Sequence, residues 1–197
     1  MGFADRRGWA ATRVPALALA VGLLAGCTGD PQEQPTPAPE SVALSITTVP
    51  GGGKLTSDQR ADVESEVAEV LTDYVVSGFL GDYPRTGFVQ SFESFTSGLT
   101  RSAARDVESL TAAPYADAES VRATRLDTRL SFLVDEGVVV GTTAHVDFVF
   151  EATVDGEVTP LELAGRLMLV DEDGIWRVFG YDVTTGDGVH AQAGATS

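Results

Sequence analysis

The chain reads as an α+β protein, with three N-terminal helices packed on a curved four-stranded antiparallel sheet. Three observations predict this. Apolar residues recur at three- and four-residue steps from Val63 to Val75, the signature of one helical face. From Ser120 the pattern switches to alternation, in four successive runs. Turn signals separate those runs at Asp135-Glu136-Gly137, Asp155-Gly156 and Asp171-Glu172-Asp173-Gly174. Helices followed by a meander of strands place the helices on one face of the sheet.

The first segment, 1–26, is a leader. Arg6, Arg7 and Arg13 outweigh Asp5, and Val14 to Ala25 is apolar and uncharged. That order is a secretory signal, and twelve apolar residues fall short of the ~20 a spanning helix needs. The run ends in Leu24-Ala25-Gly26-Cys27, which holds the only cysteine. These four residues resemble the lipobox of bacterial lipoproteins. The resemblance implies that the Cys27 thiol receives a diacylglyceryl group and that cleavage between Gly26 and Cys27 makes it the new N-terminus. Two acyl chains then hold the protein at the outer face of the cell membrane. The alternative is an ordinary signal peptide with a stray cysteine, against which stands the rarity of a free thiol in an exported protein. Arg6-Arg7 leaves Sec and twin-arginine export both open.

Removing 1–26 takes a net charge of +2 from a chain of −16, so the mature 171 residues carry −18. Such a charge repels phosphate backbones and argues against nucleic acid as a partner. With Cys27 lipidated no disulfide can form, and stability rests on the core. Twelve arginines stand against one lysine, Lys54, a bias similar to that of high-GC actinobacteria.

Residues 27–41 contain Pro31, Pro35, Pro37 and Pro39 and no apolar pattern, which predicts a flexible tether. A folded domain should occupy 42–184. Val42 to Val49 has the pattern of a short strand. Gly53-Lys54-Leu55-Thr56 lacks the glycine spacing and the Lys-Ser/Thr step of a phosphate loop. Thr56 and Gln59 form a capping box for a helix from Ser57 to Leu80, whose stripe is Val63, Val67, Val70, Leu71, Tyr74 and Val75. After the Tyr83-Pro84 turn, Phe88, Phe92, Phe95 and Leu99 follow at steps of four, three and four, one face of a second helix. Thr100 to Ala112 is a third, ended by Pro114.

In the strands, Leu126, Leu130, Phe132 and Val134 share a face, as do Val138, Val140, Ala144, Val146, Phe148 and Phe150, and then Leu161, Leu163, Leu167 and Leu169. The fourth strand, Ile175 to Val183, puts Trp176 and Val178 on one side and Phe179 and Tyr181 on the other. Residues 185–197 are small and polar, which predicts a disordered tail.

The helix block, the long strands and the ending Gly174-Ile175-Trp176-Arg177-Val178 resemble the NTF2-like (SnoaL-like) superfamily of cone-shaped domains. The stretch from Tyr83 through Phe95-Thr96 to Tyr181 is similar to uncharacterised actinobacterial lipoproteins of that type. The resemblance implies a cone and a choice of functions, since the fold hosts enzymes, ligand binders and structural domains. Enzymes of the superfamily, such as ketosteroid isomerase and scytalone dehydratase, hold an Asp or His inside the cone as general base. Here His145 and Asp147 fall on the outward face of their strand, with Arg125 and Arg129 outward on the strand before. The favoured reading of that set is a solvated surface of cross-strand charge pairs, with an active site as the alternative. A partner surface, or a homodimer through the sheet, is also open, and no catalytic residue emerges. Phe88, Phe92 and Phe95, with Tyr83, Arg166 and Tyr181, are the candidate lining of an apolar pocket at the cone mouth. Ordinary core is the alternative, and strict alternation turns Arg166 away from its apolar neighbours. His190 in the tail and the Asp171-x-Asp173-Gly174 turn make no metal site, and no cofactor is expected. The sequence therefore points to a lipid-anchored extracytoplasmic, non-catalytic module that binds a protein or another envelope component. The alternatives are a carrier of a small apolar molecule or lipid, and a cofactor-free isomerase or dehydratase.

Overall fold

The computed structural model describes residues 42–49, 55–187 and 189–194. The leader, Cys27, the tether and Lys54 lie outside them. The first element is strand β1, Ser45–Thr48, followed by helix α1, Ser57–Phe79. Both halves of the capping box are made: Gln59 N–H donates to Thr56 Oγ1 at 3.2 Å and Thr56 N–H to Gln59 Oε1 at 3.0 Å. Two orphan amides are thereby satisfied at the helix start. Val67, Leu71, Tyr74 and Val75 are buried and Val63 and Val70 pack beside them, as the stripe predicts.

The second and third helices differ from expectation. Phe88–Phe92 is a 3-10 turn, Phe95 forms a single bridge to Val178, and the helices proper are α2, Ser97–Arg105, and α3, Val107–Leu110. The apolar spacing mimics a helix, but the backbone at Ser94 and Thr96 is spent on Val178: Thr96 N–H donates to Val178 O at 2.8 Å and Val178 N–H to Ser94 O at 3.0 Å. A segment so pinned to a strand cannot also close helical hydrogen bonds.

Strands β2 (Ser120–Asp135), β3 (Val138–Val154), β4 (Glu157–Glu172), β5 (Ile175–Thr185) and β6 (His190–Gly194) complete the fold. The sheet is six-stranded and mixed, in the order β1-β2-β3-β4-β5-β6, and so corrects the four-stranded antiparallel expectation. β1 runs parallel to β2, reached through the helical crossover, and β6 lies antiparallel on β5 where the composition predicts a disordered tail. The three hairpins of the meander turn on Glu136-Gly137, Asp155-Gly156 and Asp173-Gly174, each with both residues at positive φ. This is the two-residue turn that matches strand twist.

Bulges decide which side chains face the helices. Register shifts leave Thr124, Val140 and Phe179 as extra residues in β2, β3 and β5. A shift of one residue exchanges the two faces of a strand. Val139 therefore faces the core, while Val138 and Val140, expected inside, are 61% and 38% exposed. The bulge at Phe179 likewise brings Tyr181 to the side of Trp176 and Val178, where all three are buried.

The core lies between the helices and this inner face. Phe79 stacks on Phe150 with ring centroids 4.3 Å apart, Tyr74 meets Phe79 edge-on at 5.9 Å, and Phe95 contacts both Tyr74 and Phe92. Such pairs add to the gain from burial alone. Arg85 holds the end of α1, donating to the carbonyls of Leu80 and Ser77 while its guanidinium lies 4.8 Å from the Phe88 ring.

Candidate functional site: the outer face of the sheet

The face of the sheet turned away from the helices carries the polar half of each alternation. Cross-strand register lines its residues into rungs. One rung crosses all six strands as Thr47, Arg129, His145, Arg166, Asp182 and Gln192. The next runs Ser45, Asp127, Asp147, Ala164, Thr184 and His190. The predicted partner-surface residues Arg125, Arg129, His145 and Asp147 therefore do come together. The register does this: Arg129 is directly opposite His145, and Asp127 opposite Asp147.

Most charges on this face are paired. Arg125 reaches Asp147 at 2.7 Å and Asp127 at 3.9 Å. Its hydrogen bond to Asp147 comes first among the causes that raise its already high pKa. Arg166 pairs with Asp182, and His190 Nε2 lies 2.7 Å from the other oxygen of the same carboxylate. These two contacts, Arg166 first, hold the Asp182 carboxyl below its ordinary pKa. Two like charges opposite one another, Asp127 and Asp147, are destabilising unless bridged, and Arg125 is the bridge. Arg129 is different: among the described residues it is exposed and takes part in no ion pair. It borders a shallow depression of about 560 Å³, lined by Thr47, Asp127, His145, Asp147 and Gly165 besides itself.

The residues proposed for an apolar pocket are dispersed. Phe88, Phe92 and Phe95 are 6%, 1% and 3% exposed and form core. Phe92 and Phe95 also contribute to the floor of an open depression of about 490 Å³ that they share with Val89, Thr100 and Arg177. Tyr83 closes α1, its hydroxyl donating to Phe79 O at 2.7 Å, and burial raises its phenol pKa. Tyr181 is fully buried and donates to Asp106 Oδ2 at 2.5 Å, at the junction of α2 and α3. Burial first, and then that hydrogen bond, push its pKa well up. Arg166 is on the outer face, as strict alternation requires, and joins the charged rung there instead.

Sequence reasoning missed Asp182 and His190 as members of this surface. The bulge at Phe179 hides the parity of Asp182, and His190 stands in a stretch with no strand pattern. Asp171 Oδ1 accepts the Gly174 amide at 2.6 Å, so that turn uses its carboxylate internally. Among the described residues no group of three or more His, Cys, Asp or Glu is placed to hold a metal ion, and no helix is long and apolar enough to cross a membrane. No protein-family model, curated protein or solved structure compared with the chain matches it.

Proposed function

We propose that this protein is a lipoprotein anchored through Cys27 at the extracytoplasmic face of the cell membrane. Its domain serves there as a non-catalytic binding or accessory module of the cell envelope, and it engages a partner protein through the outer face of the sheet. The observation that carries the binding reading is the rung of Arg129, His145, Arg166 and Asp182 across a face that none of the described helices covers, with Arg129 in no ion pair among the described residues. A broad, shallow, charged surface suits a protein contact better than the enclosed apolar site a small molecule needs. The anchoring reading rests on Leu24-Ala25-Gly26-Cys27 after an apolar run.

Cys27→Ser tests the anchor: the protein is released into the medium or stays unprocessed. Unchanged size and unchanged membrane association would defeat it. A second reading, carriage of a small apolar molecule, is favoured by the depression floored by Phe92 and Phe95. Native mass spectrometry of the gently purified protein separates the two. Excess mass that vanishes on denaturation supports the carrier, and a bare mass supports the module.

A further inference from the structure

On the helix side of the sheet, α1 and the β4–β5 hairpin border an open groove of about 490 Å³. Its apolar part is Val70, Trp176 and Ile175, the last 55% exposed. Glu66, Glu69 and Asp73 from α1 and Glu93 beyond the 3-10 turn form its walls. The three helix acids recur at steps of three and four, so they stand on one stripe, where like charges repel and weaken a helix. None of the four carboxylates has an ion-pair partner among the described residues. Arg177 also lines the groove, but its guanidinium is turned to Glu172 at 3.6 Å and to the Glu93 carbonyl, to which it donates, so one cation stands against four acids. Trp176 is held in place by its indole N–H, which donates to Glu66 Oε2 at 3.0 Å. Ser94 also lines the groove, and among the described residues its buried hydroxyl oxygen has no hydrogen-bond partner.

We propose that this groove docks an extended basic segment of a partner protein, with one apolar side chain on Trp176 and Ile175 and flanking Lys or Arg on Glu69, Asp73 and Glu93. Charge complementarity selects the occupant. A purely apolar segment leaves four carboxylates facing low dielectric, and a bare polycation leaves Ile175 and Val70 wet. Length selects a peptide over a small amine. From Glu66 to Asp73 the stripe runs ~10 Å at 1.5 Å per helical residue, which three or four extended residues cover at ~3.3 Å each. Uncompensated negative charge also speeds encounter with such a partner and makes binding salt-dependent.

The inference does not rest on the outer-face reading, and its variants leave Arg129, His145 and Arg166 untouched. The test uses the full lipidated chain in neutral detergent micelles. The probe is fluorescein-labelled Lys-Leu-Lys-Leu-Lys, followed by anisotropy at low and at physiological salt. Lys-Ser-Lys-Ser-Lys and Glu-Leu-Glu-Leu-Glu are the comparison peptides. The expected results are binding of the Lys-Leu peptide, at least tenfold weakening by Glu69→Lys with Asp73→Lys, and at least threefold weakening by Ile175→Ser. Glu69→Gln with Asp73→Asn moves affinity in the same direction without adding charge. Asp117→Lys with Glu157→Lys, the same charge change away from the groove, stays within twofold of wild type. The proposal is overturned if the probe does not bind, if the groove variants bind it as wild type does, or if the remote pair weakens binding as much as the groove pair.

Discussion

Gly165 sits in β4 beside Arg166, and its replacement by alanine is a sharp test of how the outer face is built. A Cβ there falls 2.3 Å from the Asp182 carbonyl oxygen, 2.7 Å from Val183 Cα and 3.1 Å from the Asp182 carbonyl carbon. Carbon and carbonyl oxygen ordinarily meet at ~3.3 Å or more, so β4 and β5 must separate by about 1 Å. Neighbouring strands are only ~4.8 Å apart, and the obstacle is backbone that cannot rotate away. The residue also has φ +142°, a conformation that side chains resist. Overpacking costs roughly 1–3 kcal/mol and the backbone strain roughly 1–3 kcal/mol, so Gly165→Ala should lose about 4 kcal/mol. In a domain of this size that is a melting temperature lower by about 10 °C. Denaturant unfolding followed by Trp176 fluorescence measures it. The displaced strand also carries Asp182 away from Arg166, so the Asp182 carboxyl should titrate nearer its ordinary value. A loss under about 1 kcal/mol with an unchanged Asp182 titration would refute the close approach of β4 and β5 and the rung that depends on it.

Thr56→Ala should cost about 1 kcal/mol by the same unfolding assay, since the Gln59 amide in the first turn of α1 loses its acceptor Thr56 Oγ1. Tyr181→Phe breaks the side-chain hydrogen bond that ties β5 to the α2–α3 junction, and should cost about 2 kcal/mol, the worth of a bond to a charged group. Arg166→Ala removes the larger cause of the low Asp182 pKa, so carboxyl NMR should show that pKa rise. A carboxyl whose folded pKa is lowered contributes stability above its unfolded pKa and loses it as pH falls through the folded value. The variant should therefore show a smaller acid-side loss attributable to Asp182 than wild type.

The parts of this fold that can be read from sequence are those set by local chemistry. α1 announces itself through Thr56, Gln59 and its apolar stripe, and the meander through long alternating runs and Asp-Gly or Glu-Gly turns. Parity alone places Arg125, Arg129, His145 and Asp147 on one outward surface. The illegible parts are non-local. The pattern of Val42 to Val49 suggests a strand but carries no sign of its parallel pairing with β2, which is made through the helical crossover. β6 has mostly small side chains and is held by backbone pairing to β5. The extra residues Val140 and Phe179 look like ordinary strand residues, yet each exchanges the two faces of its strand from one side of the bulge to the other. That exchange moves Val138 outward and Tyr181 inward, and it conceals Asp182 as the partner of Arg166. The phenylalanine row has helical spacing, and only the contact with Val178 rules a helical backbone out.

In the function we propose, the outer face of the sheet is where the domain meets its partner. The direct measurement is photo-crosslinking in intact cells, with a benzoylphenylalanine at Thr47, beside Arg129, and another at Glu157 in the β3–β4 hairpin. A discrete protein adduct is expected from Thr47, disappearing when Arg129→Glu and Arg166→Glu are introduced together, and none from Glu157. An adduct of twice the chain's mass identifies the partner as a second copy. No adduct from Thr47, or one that persists in the charge-reversed variant, contradicts the claim.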